Sequence, residues 1–125
     1  MFKDISSSAI VATSDLDRAR KFYGETLGLE ADGDIGPALT FKTGATKLIV
    51  YESAENAGTS KANAVVWGST GDFDALADEL RGKGVTFEEY PGMGMRIQSG
   101  VHIQDDFKAI WFKDPDGNIL HLNNM

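Results

Sequence analysis

The sequence predicts an α+β fold of two βαβββ modules, whose curled, mixed or antiparallel sheets enclose a cleft. Three observations carry that prediction. Sliding the chain against itself by seventy-one places lays Ala38-Leu39-Thr40-Phe41-Lys42 on Ala109-Ile110-Trp111-Phe112-Lys113, and Lys47-Leu48-Ile49-Val50-Tyr51 on Asn118-Ile119-Leu120-His121-Leu122, without a gap. A shift of fifty-seven lays Asp15-Leu16-Asp17 on Asp72-Phe73-Asp74 at what read as two helix starts. Each amphipathic helix has one apolar stripe and each meander one apolar face, so the two copies must pack together over a single core. One domain over residues 1–125 is expected, with a first module at about 1–53 and a second at about 61–125.

Residues 5–13 are small, apolar and β-branched, and read as a strand buried on both faces, although Ser6, Ser7 and Ser8 are unusual there. Ser14 followed by Asp17 resembles a capping box, after which Leu16, Ala19, Phe22, Tyr23 and Leu27 recur at helical spacing until Gly28. The other helix face (Asp17, Arg18, Arg20, Lys21, Glu25) reads as a solvated surface. Extended runs at 29–32, 38–42 and 46–52, separated by Gly33, Gly36-Pro37 and Thr43-Gly44, complete the first copy as an antiparallel meander. Residues 53–61 are small and polar, and connect the copies. The second copy repeats the strand at 62–69, the helix at 72–81 with Phe73, Leu76, Ala77 and Leu80 inward, and the next strand at 85–90.

Because seventy-one exceeds fifty-seven, the second copy carries about fourteen extra residues after its helix, between Tyr90 and Phe107. They combine glycines with Met93, Met95, Ile97, Val101 and Ile103, which suits either a lid or cleft wall, or an edge hairpin that covers the core. His102 lies among them.

The strongest turn signal is WFKDPDGNILHLN, residues 111–123. Pro115 presets φ for a type I turn flanked by Asp114 and Asp116, and Gly117 accepts the left-handed conformation that follows. That register sets Asp114 opposite Asn118 and Trp111 opposite His121 on one face. The pair serves either a site or simply the core.

Composition narrows the partners. The 125 residues carry a net charge of −7 with a pI near 4.7, against nucleic acid or anionic membrane. There is no cysteine, so no disulfide, thiolate metal site or thiol nucleophile is available. No apolar run suggests a signal peptide or membrane span, and a cytoplasmic location is expected.

The doubled βαβββ pattern, the FYGETLGLE segment closing the first helix and WFKDPDGNILHL together resemble the vicinal oxygen chelate superfamily, which includes glyoxalase I, bleomycin-resistance proteins, fosfomycin-resistance enzymes and extradiol dioxygenases. The resemblance covers nearly the whole chain. It implies a small-molecule cleft, and in metal-dependent members one His, Gln or Glu ligand from the first and last strand of each module. The matching positions here are Ser8, Val50, Val65 (or Asn63) and His121. Only His121 is a metal donor of the family type, and neither His102 nor Glu52 falls on a ligand position, so no metal or other cofactor is expected. Hydrolysis would need Ser8 to meet His121, as no nucleophile elbow exists.

By strand parity the cleft is expected to hold Ser8, Ile10, Leu48, Val50, Asn63, Val65, Trp67, Ala109, Trp111 and His121. The ligand-binding set drawn from these is Ser8, Ile10, Val50, Asn63, Val65, Trp67, Trp111 and His121. Such an apolar inventory with a few polar groups suits a mainly apolar organic ligand, unless the side chains fill the space themselves. Two function classes follow: a metal-independent small-molecule-binding protein of the bleomycin-resistance kind, and a glyoxalase-type metal-dependent lyase, isomerase or dioxygenase. The resemblance also implies a homodimer as an assembly, since relatives commonly form dimers whose modules complete each other's clefts.

Overall fold

The computed structural model describes every residue except Pro37 and Thr70, and only the backbone of Asp34 and Ile35. The expected Gly36-Pro37 separator therefore falls partly outside the described residues. The first sheet contains β1 (Ala9–Thr13), β2 (Glu30–Ile35), β3 (Ala38–Thr43) and β4 (Thr46–Glu52) in the order β1-β4-β3-β2. The second contains β5 (Asn63–Gly68), β6 (Phe87–Glu88), β7 (Arg96–Gln98), β8 (Val101–Gln104), β9 (Phe107–Lys113) and β10 (Ile119–Asn123), ordered β5-β10-β9-β8-β7 with β6 also on β9. In each sheet the first strand runs parallel to the last, while the remaining pairs are antiparallel. Two open mixed sheets and two helices, α1 (Leu16–Lys21) and α2 (Phe73–Gly82), make an α+β fold.

The shift of fifty-seven falls on two helix caps. Asp15, rather than Ser14, caps α1 by accepting from the Arg18 N–H at 3.1 Å, and Asp72 caps α2 from the Ala75 N–H at 3.0 Å. Helix α1 widens into a π-helical turn at Phe22–Thr26, closed by the Leu27 N–H on the Phe22 carbonyl, before Gly28 turns the chain with φ +70°. Strand β1 is shorter than expected: Ser6 to Ser8 precede it and are exposed. It is also not buried on both faces, since Ile10 is 57 % exposed while Val11 and Thr13 are buried.

The longer shift needs a correction that decides which residues share a face. In the first hairpin Thr40 pairs with Ile49, whereas in the second Trp111 pairs with His121. The second turn places three residues between Asp114 and Asn118, while the first places two between Thr43 and Thr46. The counterpart of His121 is therefore Ile49 and not Val50, because one added residue moves every later side chain to the other face. Val50 and Leu48 consequently point into the core with Val11, Phe41 and Leu120, on the side covered by the helices.

The extra segment of the second copy interrupts the outer strand of its sheet. Strand β6 pairs with the later half of β9 and β8 with its earlier half, so the two together occupy one edge. Between them the chain makes a short 3-10 turn at Pro91–Met93 and then the β7–β8 hairpin. The edge-hairpin reading describes residues 96–104. Among the described residues no helix is long and apolar enough to cross a membrane.

Candidate functional site

The WFKDPDGNILHLN turn positions the site and also locks the two modules together. The Gly117 N–H donates to the Asp114 carbonyl and the Asp114 N–H to the Asn118 carbonyl, each at 3.0 Å, with Gly117 at φ +96°. This is the expected type I turn with its left-handed glycine. The Asp114 carboxylate is buried and satisfied, accepting from the backbone N–H groups of Asp116 and Asn118, the Asn118 amide and the Tyr23 hydroxyl at 2.6 Å. Burial, then the Asp114 charge and hydrogen bond, hold the Tyr23 phenol protonated by pushing its pKa up.

Asp116 reaches the first module. It accepts from the Thr13 hydroxyl at 2.6 Å, from the Ser14 N–H at 3.0 Å and from the Arg18 guanidinium at 2.8 Å. Burial works to raise its pKa, but the Ser14 and Thr13 hydrogen bonds and the Arg18 charge outweigh it, so the carboxyl lies below its ordinary value. Arg18 thus departs from the solvated surface expected of that helix face. Asn118 donates to the Ala12 carbonyl at 2.8 Å and accepts from the Gly58 N–H at 3.1 Å, which binds the inter-module connection to the same turn. The acidic residues of the motif are structural.

Beyond the turn, His121 and Trp111 lie side by side with ring centroids 4.4 Å apart and planes 22° from parallel. His121 Nδ1 lies 3.1 Å from the Ile110 carbonyl and Nε2 lies 3.2 Å from the Asn123 amide nitrogen. A neutral ring that donates from Nδ1 and accepts at Nε2 satisfies both contacts. Burial lowers the His121 pKa against a smaller raising effect from Ile110, which agrees with the neutral form. Ser8, the expected partner, is not among these contacts.

Trp111 also meets Tyr90 and His102 edge-on, at 5.5 Å and 4.9 Å. His102 is fully buried, its Nε2 accepts from the Tyr90 N–H at 2.9 Å, and its Nδ1 has no partner among the described residues. Tyr90 and His102 were not in the expected site set. Part of their signal was present, since His102 lies in the segment suspected of walling the cleft and Tyr90 directly precedes it, but their pairing across twelve positions depends on how that segment folds back.

Of the expected site residues, the structure brings together Trp111, His121 and Asn63 on one face. Asn63 pairs with Ile119, and Val66, not Val65, pairs with His121 because β5 shifts register between those pairs. Val65 and Val50 are buried on the helix side. Trp67 is on that side too, and lines a separate cavity of about 340 Å³ with Leu27, Leu29, Leu76, Leu80 and Phe112. The expectation that Trp67 joins Trp111 therefore fails: Ile10 lies beside Ile49 and Val66 beside His121, so the first strands correspond at a shift of fifty-six and Trp67 falls on the helix side. Ile10 is on the open face of β1 beside Ile49, and Ser8 lies outside the strand. A groove of about 560 Å³ borders Trp111, Tyr90, Met93, Ile119 and Asn63, with Lys61, Lys113 and Glu88 at its polar edge. The extra segment thus supplies one of the groove's walls, Met93, and the residue directly before it, Tyr90, supplies another.

The donor set around His121 does not fit a divalent metal. The residue that pairs with it, Val66, and its repeat counterpart in the first sheet, Ile49, are aliphatic, and both ring nitrogens are already engaged. Zinc, nickel, manganese or iron needs at least three nitrogen, oxygen or sulfur donors from the protein. Among the described residues no group of three His, Asp or Glu side chains stands close enough to make such a site.

Solved structures share this architecture. An oxidase, ChaP-H2, matches with a TM-score of 0.74 and 22 % identity over 98 % of this chain and 94 % of that one. The fosfomycin resistance protein FosX from Listeria monocytogenes matches with a TM-score of 0.72 and 14 % identity over 96 % and 92 %. Lactoylglutathione lyase from Agrobacterium tumefaciens matches with a TM-score of 0.69 and 17 % identity over 97 % and 93 %. At these identities the likeness carries the fold alone. The family model of the Glyoxalase/Bleomycin resistance protein/Dioxygenase superfamily matches residues 6–122, and with the doubled βαβββ architecture this places the chain in that superfamily.

Proposed function

We propose that this protein binds a small, mainly apolar organic molecule in the groove beside Trp111, and does so without a metal. The observation that carries the reading is the pairing of an apolar groove of about 560 Å³ with a histidine whose ring nitrogens are both engaged within the fold. A groove of that size suits a metabolite- or drug-sized ligand, and its aromatic walls favour a flat one. Sequestration or carriage of such a molecule needs no reacting group. FosX has been solved with Mn(II), so a metal can be bound in this fold, but Val66 beside His121 and its repeat counterpart Ile49 do not supply donors.

The test is a titration of chelator-treated protein carrying Trp67→Phe, in which Trp111 alone reports, against a panel of aromatic and aliphatic metabolites. Saturable fluorescence changes are expected without added metal. Trp111→Ala should weaken binding by about 1 to 3 kcal/mol through lost contact area, read by calorimetry. Binding or turnover that appears only after a divalent ion is restored would favour the glyoxalase-type lyase, isomerase or dioxygenase reading instead. The proposal includes a homodimer, supported by Ile10 and Val66, which are 57 % and 60 % exposed on β1 and β5. Sedimentation equilibrium checks that part. A cytoplasmic location belongs to the same proposal and rests on the acidic, cysteine-free composition.

A further inference from the structure

The groove is apolar along its floor but its edge is not electrically neutral. Two of its three charged residues cancel, since the Lys113 amine lies 3.3 Å from the Glu88 carboxylate. Lys61 lines the same groove and makes no ion pair among the described residues. In a chain of net charge −7 an uncompensated cation beside an aromatic wall is a specific feature. The backbone that carries it is anchored on both sides. Three residues before it, the Gly58 N–H is bound to Asn118, and two residues after it Asn63 pairs with Ile119 in β5. Between those anchors the Ala62 N–H is held by the Ser60 hydroxyl at 3.0 Å. The Lys61 backbone is therefore held at the groove's edge, and Lys61 and Asn63 both line the groove.

We infer that Lys61 selects an anionic ligand: the molecule that lies against Trp111 carries a single carboxylate, which Lys61 receives at the mouth with Asn63 as a neutral donor beside it. This rests on the groove being the binding site, and names the chemical class it takes. The flat apolar part supplies contact area with Trp111, Tyr90, Met93 and Ile119, and the charge supplies orientation and discrimination against neutral molecules of the same shape. A ligand with a cationic end would instead meet Lys61 as a like charge.

The probes are naphthalene-2-carboxylate and naphthalene-2-carboxamide, which match in shape and differ in charge, titrated by calorimetry at low salt and again at high salt. The carboxylate is expected to bind about fivefold tighter than the amide at low salt, the scale of one partly exposed ion pair, and to lose that advantage as salt rises. Lys61→Gln should bring the carboxylate down to the amide's affinity and leave the amide unchanged. Lys21→Gln, on α1 and outside the groove's lining, should change neither. Equal binding of the two probes, or a carboxylate preference that survives Lys61→Gln, overturns the charge selection while leaving the groove reading in place. Absence of binding by both overturns the two together.

Discussion

A phenol on the buried stripe of a helix needs an acceptor, and Tyr23 finds its own 91 residues away in the Asp114 carboxylate. The sequence shows half of this bond. Tyr23 is legible as a core position from its helical spacing, and Asp114 as a turn residue, but nothing local joins them. Tyr23→Phe is expected to lower stability by about 1.5 to 3 kcal/mol, since it removes a hydrogen bond to a buried charge. Asp114→Ala should cost more, because it leaves the Tyr23 hydroxyl and the backbone N–H groups of Asp116 and Asn118 without their acceptor. Urea unfolding of both variants and of the double variant checks this. A double variant close to Asp114→Ala alone shows that the tyrosine acts through this carboxylate, and an additive result refutes it. Trp111 and His121 were legible together because turn chemistry alone sets their register, and the observed pairing is the expected one. Trp67 was misplaced because the shift of fifty-seven, which fits the helix starts, is one place too long for the first strands, where Ile10 corresponds to Val66, and one place changes the face a side chain occupies.

At the scale of elements, the repeat and the caps were readable from residue spacing, while the joints between elements were not. The connection after β4 looked like a plain linker. In the structure Gly58, at φ +68°, lies so close to the turn that a Cβ there would collide with the Asp116 carbonyl. Gly44 also has positive φ, +52°, but opens into free space. Gly44→Ala should therefore cost about 1 to 2 kcal/mol of backbone strain, and Gly58→Ala clearly more, since the turn or the linker must also shift. Thermal unfolding of the two variants makes the comparison, and equal losses would show that the linker does not pack on the turn as described. The segment 91–106 was readable as either wall or hairpin, and the chain uses it for both. Its strands β7 and β8 extend the sheet, whereas Met93, with Tyr90 just before the segment, stands at the groove. If the stretch around Tyr90 and Met93 closes over a ligand, hydrogen exchange there should slow on binding while β8 stays protected throughout. Unchanged exchange around Met93 on saturation with ligand would remove the lid role and leave a fixed wall.

At the scale of the whole molecule, two titrating groups tie stability to pH on the acid side, and both act in the same direction. His121 is lowered from its ordinary 6.5 chiefly by burial, so below that value the unfolded chain binds a proton that the folded one resists. Its contribution is fully present above 6.5 and is lost as pH falls through the lower folded value. Asp116 is lowered from its ordinary 3.8, with burial opposing and the Ser14 and Thr13 hydrogen bonds prevailing. Its contribution is lost only as pH falls below 3.8. Acid should thus weaken the molecule in two stages, first at the aromatic face of the second sheet and then at the joint between the modules. His121→Gln replaces the titrating ring with a neutral amide that can still donate to the Ile110 carbonyl. It should flatten the loss of stability that sets in below pH 6.5 while leaving the loss below pH 3.8 in place. Asp116→Asn should do the reverse, lowering stability at neutral pH and removing part of the dependence at the acid end. The measurement is denaturant unfolding as a function of pH for the three proteins, followed through Trp111 in a Trp67→Phe background. A His121→Gln protein whose stability still falls below pH 6.5 as steeply as the parent's, before the acid loss that begins at 3.8, would mean that His121 is not the group held neutral by the fold.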